Sequence, residues 1–204
     1  MSEEEMQREK AQLRSLFTSR LRAADPGDIV RWNRAVVAKL RELPEFGGAT
    51  AVGMFSAIGR EPDLSSLFGG VRTLLPRYNA KAGSYEMVEI GDPVRDLLPG
   101  RYGILEPRPE LDAAPAEWVR RELLFVVPAV ACSPDGVRLG RGGGFYDRLL
   151  EGTKIPAVAV IFPCQLAEHL PSLAHDRPVG TVIAGDRVIR CGGAEVVNTG
   201  RVRG

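Results

Sequence analysis

The sequence predicts an α/β fold: one domain of three layers, α/β/α, around a mostly parallel, Rossmann-like sheet. Three observations carry this. Residues 123–128 and 157–162 are apolar at every position, the mark of strands buried on both faces. Helix-period segments stand before and between the strand candidates, the alternation that builds parallel sheets. Of 204 residues, 44% are apolar and 26% charged, an ordinary soluble composition that lets a chain of this length bury roughly 70% of its unfolded surface in one core.

Taken in order, residues 3–23 place Leu13, Leu16, Phe17 and Leu21 on one side of a helix. Asp25-Pro26-Gly27 is expected to end it, and Asp28 to cap a second helix whose apolar face is Ile29, Val36, Val37, Leu40 and Leu43. Residues 51–56 read as a short strand, 62–68 as a helical turn, 71–76 as a second strand and 85–90 as a weaker third. Residues 91–118, rich in Pro, Gly, Asp and Glu, read as a long loop with a short turn. The strand at 123–128 follows, then a helix over 144–151 and the strand at 157–162. Residues 179–183 and 188–189 are strand candidates around Gly185-Asp186. Residues 1–191 are therefore expected to form a single domain, and 192–204 a flexible tail.

Charge and cysteine content narrow the function. The formal net charge is +1, which argues against a nucleic-acid coat, since that would need a basic excess. The three cysteines are widely spaced with no Cys-x-x-Cys pair, so neither a disulfide framework nor a zinc site is expected. The acidic start, Ser2-Glu3-Glu4-Glu5, does not read as a signal or transit peptide, so neither is expected, and no apolar run is long enough to span a membrane as a helix. A cytoplasmic monomer acting on small molecules is the expectation.

The informative anomaly is glycine, 23 of 204 residues, or about 11% against a usual 7%. Gly136, Gly140, Gly142, Gly143 and Gly144 fall in one short stretch, directly after the buried strand at 123–128. Glycines let successive backbone N–H groups converge on one point, and a following helix start adds positive potential. Arg138, Arg141 and Arg148 add guanidinium forks suited to phosphate oxygens. The stretch therefore reads as a phosphate cradle, although it is neither a Walker A loop nor Gly-x-Gly-x-x-Gly. Asp147 within it, and Asp176 beyond the strand at 157–162, are hard-oxygen candidates for Mg²⁺; a helix cap or an ion pair with Arg148 explains Asp147 equally well, and an aspartate placed like Asp176 is more often a turn residue.

The segment from Val127 to Arg148, with Gly136-Val-Arg138-Leu-Gly-Arg-Gly-Gly-Gly-Phe-Tyr-Asp147-Arg148 at its heart, resembles the signature of the 5-formyltetrahydrofolate cyclo-ligase family. Weaker landmarks occur in the family's order: Lys10 to Arg14, Ser56 with Glu61-Pro-Asp63, Gly103 to Pro107, Phe162 to Gln165, Leu170-Pro171 and His175-Asp176. The resemblance spans residues 8–190. It implies conversion of 5-formyltetrahydrofolate to 5,10-methenyltetrahydrofolate, with ATP consumed as co-substrate, ADP and phosphate released, and Mg²⁺ as cofactor.

The resemblance also implies roles. Lys10, Arg14, Arg138, Leu139, Gly140, Arg141, Gly142, Gly143, Gly144, Phe145 and Tyr146 would hold ATP. Phe55 and Glu61, with residues 141–145, would hold the folate; Arg141 and Tyr146 would assist catalysis; Asp147 and Asp176 would hold the metal. Gln165 is a further pocket candidate. This chain departs from the family in having Gly143 where lysine is common, Phe145 where tyrosine is common, and Cys132-Ser133 where Phe-Asp is common. Two other readings compete: a related ATP-dependent enzyme acting on a different small molecule, and a non-catalytic nucleotide- or folate-binding regulator. Lys10, Arg14, Glu61, Asp147 and Asp176 together favour an active enzyme over the regulator.

Overall fold

The computed structural model describes residues 2–100 and 104–192. The expected tail beyond residue 192, and Gly103 of the long loop, lie outside them. Helix α1 (Glu3–Ala23) opens with a capping box, Ser2 accepting from the Glu5 N–H while the Glu5 side chain takes the Ser2 N–H. Helix α2 (Pro26–Glu42) begins earlier than its apolar face requires: Asp25, not Asp28, is the cap, with Pro26 at the first helical position. A proline there lacks only an N–H that has no helical partner anyway. A short helix α3 (Pro44–Gly47) follows.

Seven strands form the main sheet: β1 (Ala51–Gly53), β2 (Thr73–Asn79), β3 (Ser84–Ile90), β6 (Leu123–Pro128), β9 (Val158–Ile161), β10 (Thr181–Ala184) and β11 (Arg187–Arg190). Their order is β11-β10-β9-β6-β1-β2-β3. The inner pairings are parallel, and only the edge strands β3 and β11 run antiparallel. Along β6, Leu124 and Val126 face the core under α2, while Leu123, Phe125 and Val127 face the core under α5 (Ala116–Glu122) and α6 (Phe145–Leu149). That is the expected three-layer arrangement, with β6 buried at all six positions.

The long loop holds more structure than its composition indicates. It contains helix α4 (Pro93–Asp96), a hairpin of β4 (Leu97–Pro99) with β5 (Leu105–Pro107), and the start of α5. Helix α5 escapes periodicity because at seven residues it buries only Val119. A second small hairpin, β7 (Ala131–Cys132) with β8 (Arg138–Leu139), carries the chain from β6 into the glycine stretch. Helix α1 packs on that hairpin through Phe17, in a separate core with Ala131, Leu139, Ala167 and Leu170. No helix among the described residues is long and apolar enough to cross a membrane.

Candidate active site at the switch point of the sheet

The chain builds the sheet outward from β1 in one direction through β2 and in the other through β6. Neighbouring β1 and β6 therefore send their following loops to opposite faces, which opens a crevice beyond their carboxyl ends. A cavity of about 290 Å³ occupies that crevice. All the residues assigned above to ATP, folate, catalysis and metal line it, drawn from α1, the loop after β1, residues 138–147 and the loop before β10. Gln165 does not. It is buried, with its side-chain nitrogen donating to Ala129 O and Val130 O and its oxygen accepting from the Phe162 N–H. It is a brace behind the cavity wall.

The glycine stretch owes its shape to backbone conformation. Gly142 and Gly144 have φ of +101° and +61°, values that side chains on L-residues disfavour. Nothing lies within 4 Å of where a Cβ on Gly143 would stand, so this position has room for a side chain. Helix α6 is only five residues long and is capped by Gly144 without a side-chain bond. Its dipole is correspondingly small, so the cradle depends on loop N–H groups and side-chain cations rather than on a helix end. Arg14 ties α1 to this loop, its Nε donating to Gly140 O at 2.8 Å.

The remaining cations are paired. Lys10, 4% exposed, donates to Asp176 Oδ2, which also accepts from the Leu173 N–H at 2.6 Å. Arg138, buried under the Tyr146 ring, donates to Asp147 Oδ1 at 2.8 Å, leaving its own Nε without a partner. Arg141 reaches across the crevice to Glu61 at 2.8 Å and to Ile58 O. Glu61 is held from its other oxygen by the Ile58 N–H at 2.9 Å. Arg148 does not line this cavity; its guanidinium lies outside, against Gly144.

Burial opposes ionisation of Asp176, but the Leu173 N–H and Lys10 outweigh it and hold the carboxyl below its ordinary range. Burial, reinforced by the nearby Glu61 carboxylate, pushes the Tyr146 hydroxyl well above an ordinary phenol, so it stays protonated and can donate. The same effect pushes the Cys132 thiol up to about 12.

The residues fit a phosphate-bound Mg²⁺. Among the described residues no three His, Cys, Asp or Glu side chains converge as a metal cage, but Mg²⁺ needs only one or two carboxylates beside phosphate oxygens and water. Asp147 and Asp176 stand on adjoining segments, since the N–H of Arg177 donates to Asp147 Oδ1. Each carboxylate is positioned chiefly through one oxygen. Asp147 Oδ2 accepts no hydrogen bond among the described residues, and Asp176 Oδ1 has only His175 at 3.9 Å.

Gln7 and Tyr85 are among the lining residues that the sequence does not single out. Gln7 precedes Lys10 by three and Arg14 by seven, so helical spacing alone puts it on the same face. Tyr85 reaches the cavity from the edge strand β3 and packs on Phe145 with ring centroids 4.1 Å apart. No local signal marks it, because its position depends on the length of the β2–β3 hairpin.

Residues 6–185 match the model of the 5-formyltetrahydrofolate cyclo-ligase family. A 5-formyltetrahydrofolate cyclo-ligase of Escherichia coli (strain K12) is 28% identical over 181 residues, covering 85% of this chain and 98% of the relative. One from Mycolicibacterium smegmatis is 32% identical over 141 residues, covering 65% and 72%. The solved structure of Aquifex aeolicus 5,10-methenyltetrahydrofolate synthetase superposes with a TM-score of 0.76 at 28% identity, covering 93% of this chain and 96% of that one.

Proposed function

The chain belongs to the 5-formyltetrahydrofolate cyclo-ligase family, and from that premise we propose that it closes 5-formyltetrahydrofolate to 5,10-methenyltetrahydrofolate at the expense of ATP. The observation that carries this reading is the meeting of three groups at one crevice: the glycine loop, the Asp147–Asp176 pair, and the Phe55–Glu61 wall. A formamide oxygen is a poor leaving group, so it must first be made into a phosphate. In this reading the formyl oxygen attacks the γ-phosphorus and ADP leaves. N10 then attacks the formyl carbon, the carbon–oxygen bond to phosphate breaks, and the N10 proton departs with the phosphate.

Phosphoryl transfer of this kind asks the protein mainly to position reactants and stabilise spreading charge. The N–H groups of residues 140–144 face the triphosphate, and Arg14 braces the loop through Gly140 O. Asp147 and Asp176 would hold Mg²⁺ beside the phosphates, and the bound ion would supply charge neutralisation for phosphoryl transfer. Lys10 and Arg138 keep the two carboxylates in place from behind, so Arg138 acts as a positioning residue more than as a phosphate ligand.

Arg141 is the most exposed of these paired cations, its side chain 59% accessible. It exchanges Glu61 for phosphate when nucleotide arrives, and Glu61 is thereby released to accept from pterin N–H groups. Phe55 supports the pterin ring, and the protonated Tyr146 hydroxyl donates toward the charge that gathers on the formyl oxygen. The test is turnover: purified protein with ATP, Mg²⁺ and 5-formyltetrahydrofolate, followed by the near-ultraviolet absorbance of the methenyl product. Product that requires all three components supports the reading. ATP binding without product overturns it.

A further inference from the structure

The loop that presents Glu61 to the crevice is hydrogen-bonded to the rest of the fold through side chains. It leaves the core at the buried Phe55 and re-enters it at the buried Leu64. Among the described residues, no backbone–backbone hydrogen bond joins residues 55–63 to another element. Glu61 stands at the tip, in a turn closed by its own N–H donating to Ile58 O and made possible by Gly59 at φ +64°.

Two of the side-chain ties lie on the crevice side. Ser56 Oγ donates to Leu105 O at 2.6 Å, and Arg141 donates to Glu61 and to Ile58 O. Two more flank Glu61 from behind, and neither of their side chains lines the crevice. Arg60 Nη1 donates to Leu21 O and Arg22 O, both at 3.2 Å, and to Ala24 O at 2.9 Å. These are the last carbonyls of α1, which a helix end leaves short of partners; a cation there also opposes the negative end of the helix dipole. Asn33 of α2 makes a reciprocal pair with the backbone of Asp63. Its Oδ1 accepts from the Asp63 N–H at 2.7 Å, and its Nδ2 donates to Asp63 O at 3.2 Å.

In the reading above, Arg141 leaves Glu61 for phosphate when nucleotide arrives. Glu61 must then keep its aim without that bond, and the ties behind it are the ones that remain. We propose that Arg60 is a positioning residue for the folate, acting through Glu61, with Asn33 as the second fastening. Arg60 joins the Glu61 loop to the same helix that carries Lys10 and Arg14 to the metal and glycine-loop side. One helix thereby braces both sides of the crevice. The folate role rests on the reading of Glu61 given above, whereas the bracing of the loop stands on these contacts alone.

Amide exchange in the ligand-free full chain tests the bracing. The Ile58 N–H, which donates to Glu61 Oε2 at 2.9 Å, is expected to exchange about tenfold faster in R60A, as for loss of one hydrogen bond to a charged group. The amides of the glycine stretch should keep their wild-type rates. R60K, whose single ammonium can replace the bonds that Nη1 alone makes, should stay within about threefold of wild type. R60A removes an exposed side chain, and a cooperative melting transition confirms that it folds. In turnover, R60A is expected to raise the KM for 5-formyltetrahydrofolate about tenfold, while kcat and the KM for ATP stay within about twofold. Added to E61A, it should change the folate KM by less than about twofold, because the group it aims is already gone. A wild-type exchange rate for Ile58 in R60A overturns the bracing. Equal rises in both KM values, or an R60A effect that multiplies with that of E61A, overturns the positioning role. Absence of folate turnover by the wild-type chain overturns the cyclo-ligase reading and the folate role of Arg60 with it, while the Ile58 exchange rate still decides whether Arg60 braces the loop.

Discussion

Replacing Lys10 by methionine tests how the candidate carboxylates are held. Lys10 is 4% exposed, and its partner Asp176 has a side-chain accessibility of 12%. Methionine keeps the packing of the stem on α1 but removes the ammonium, so Asp176 is left with the Leu173 N–H and, 3.9 Å from its other oxygen, only the exposed His175 side chain. Breaking a buried pair from one side costs about 3–5 kcal/mol, whereas removing both charges together is often nearly neutral. K10M should therefore lose about 3 kcal/mol, a fall in Tm of about 6–12 °C for a domain of this length. The double variant K10M/D176N should recover much of that loss, giving a coupling of about 2 kcal/mol in a double-mutant cycle. Urea unfolding followed by circular dichroism measures all four corners. Because the Asp176 carboxyl is held below its ordinary range, its contribution is full above the unfolded pKa, about 3.9. The advantage of wild type over D176N should then shrink as pH falls through and below that value. Single losses that simply add, to within about 0.5 kcal/mol, would refute the pairing argument.

The adjacent glycines of the cradle should respond in opposite ways. G142A forces a side chain into φ +101° and should cost about 1–3 kcal/mol, whereas G143A, with open space around it, should change Tm by less than about 2 °C; equal losses would mean that conformation does not shape the loop. The Glu61–Arg141 bond should couple the two substrates, so a non-hydrolysable ATP analogue should tighten binding of the folate product, and R141Q should abolish that effect; calorimetry showing the same enhancement in R141Q would contradict the exchange. Cys132, buried and with its thiol pushed up to about 12, should resist thiol reagents at pH 8 until the chain unfolds. Rapid native modification of Cys132, located by mass spectrometry, would contradict its burial.

How far the sequence reaches depends on whether the signal is local. The buried strands β6 and β9 could be read because every position is apolar. The glycine stretch could be read because its backbone needs are written in residue type. The start of α2 was misplaced because Asp25 and Asp28 are both chemically able caps, and only Pro26 at the first helical position settles the choice. Helix α5 and the β4–β5 hairpin were missed because short elements bury too little to show a period. At the site, the residues were legible but their pairings were not. Arg141 and Glu61 are 80 positions apart, and nothing local says that one closes over the other. For the same reason the sequence could not divide the three arginines. Arg138 sits behind Asp147, Arg141 spans the crevice, and Arg148 lies outside it, against Gly144.

The central claim is that this crevice brings the γ-phosphoryl group of ATP to the formyl oxygen of the folate. Substrate carrying oxygen-18 in the formyl group tests it in a single turnover with ATP and Mg²⁺. The account predicts that the label appears in inorganic phosphate, one atom for each methenyl product formed. Label released into water, with unlabelled phosphate, would contradict it.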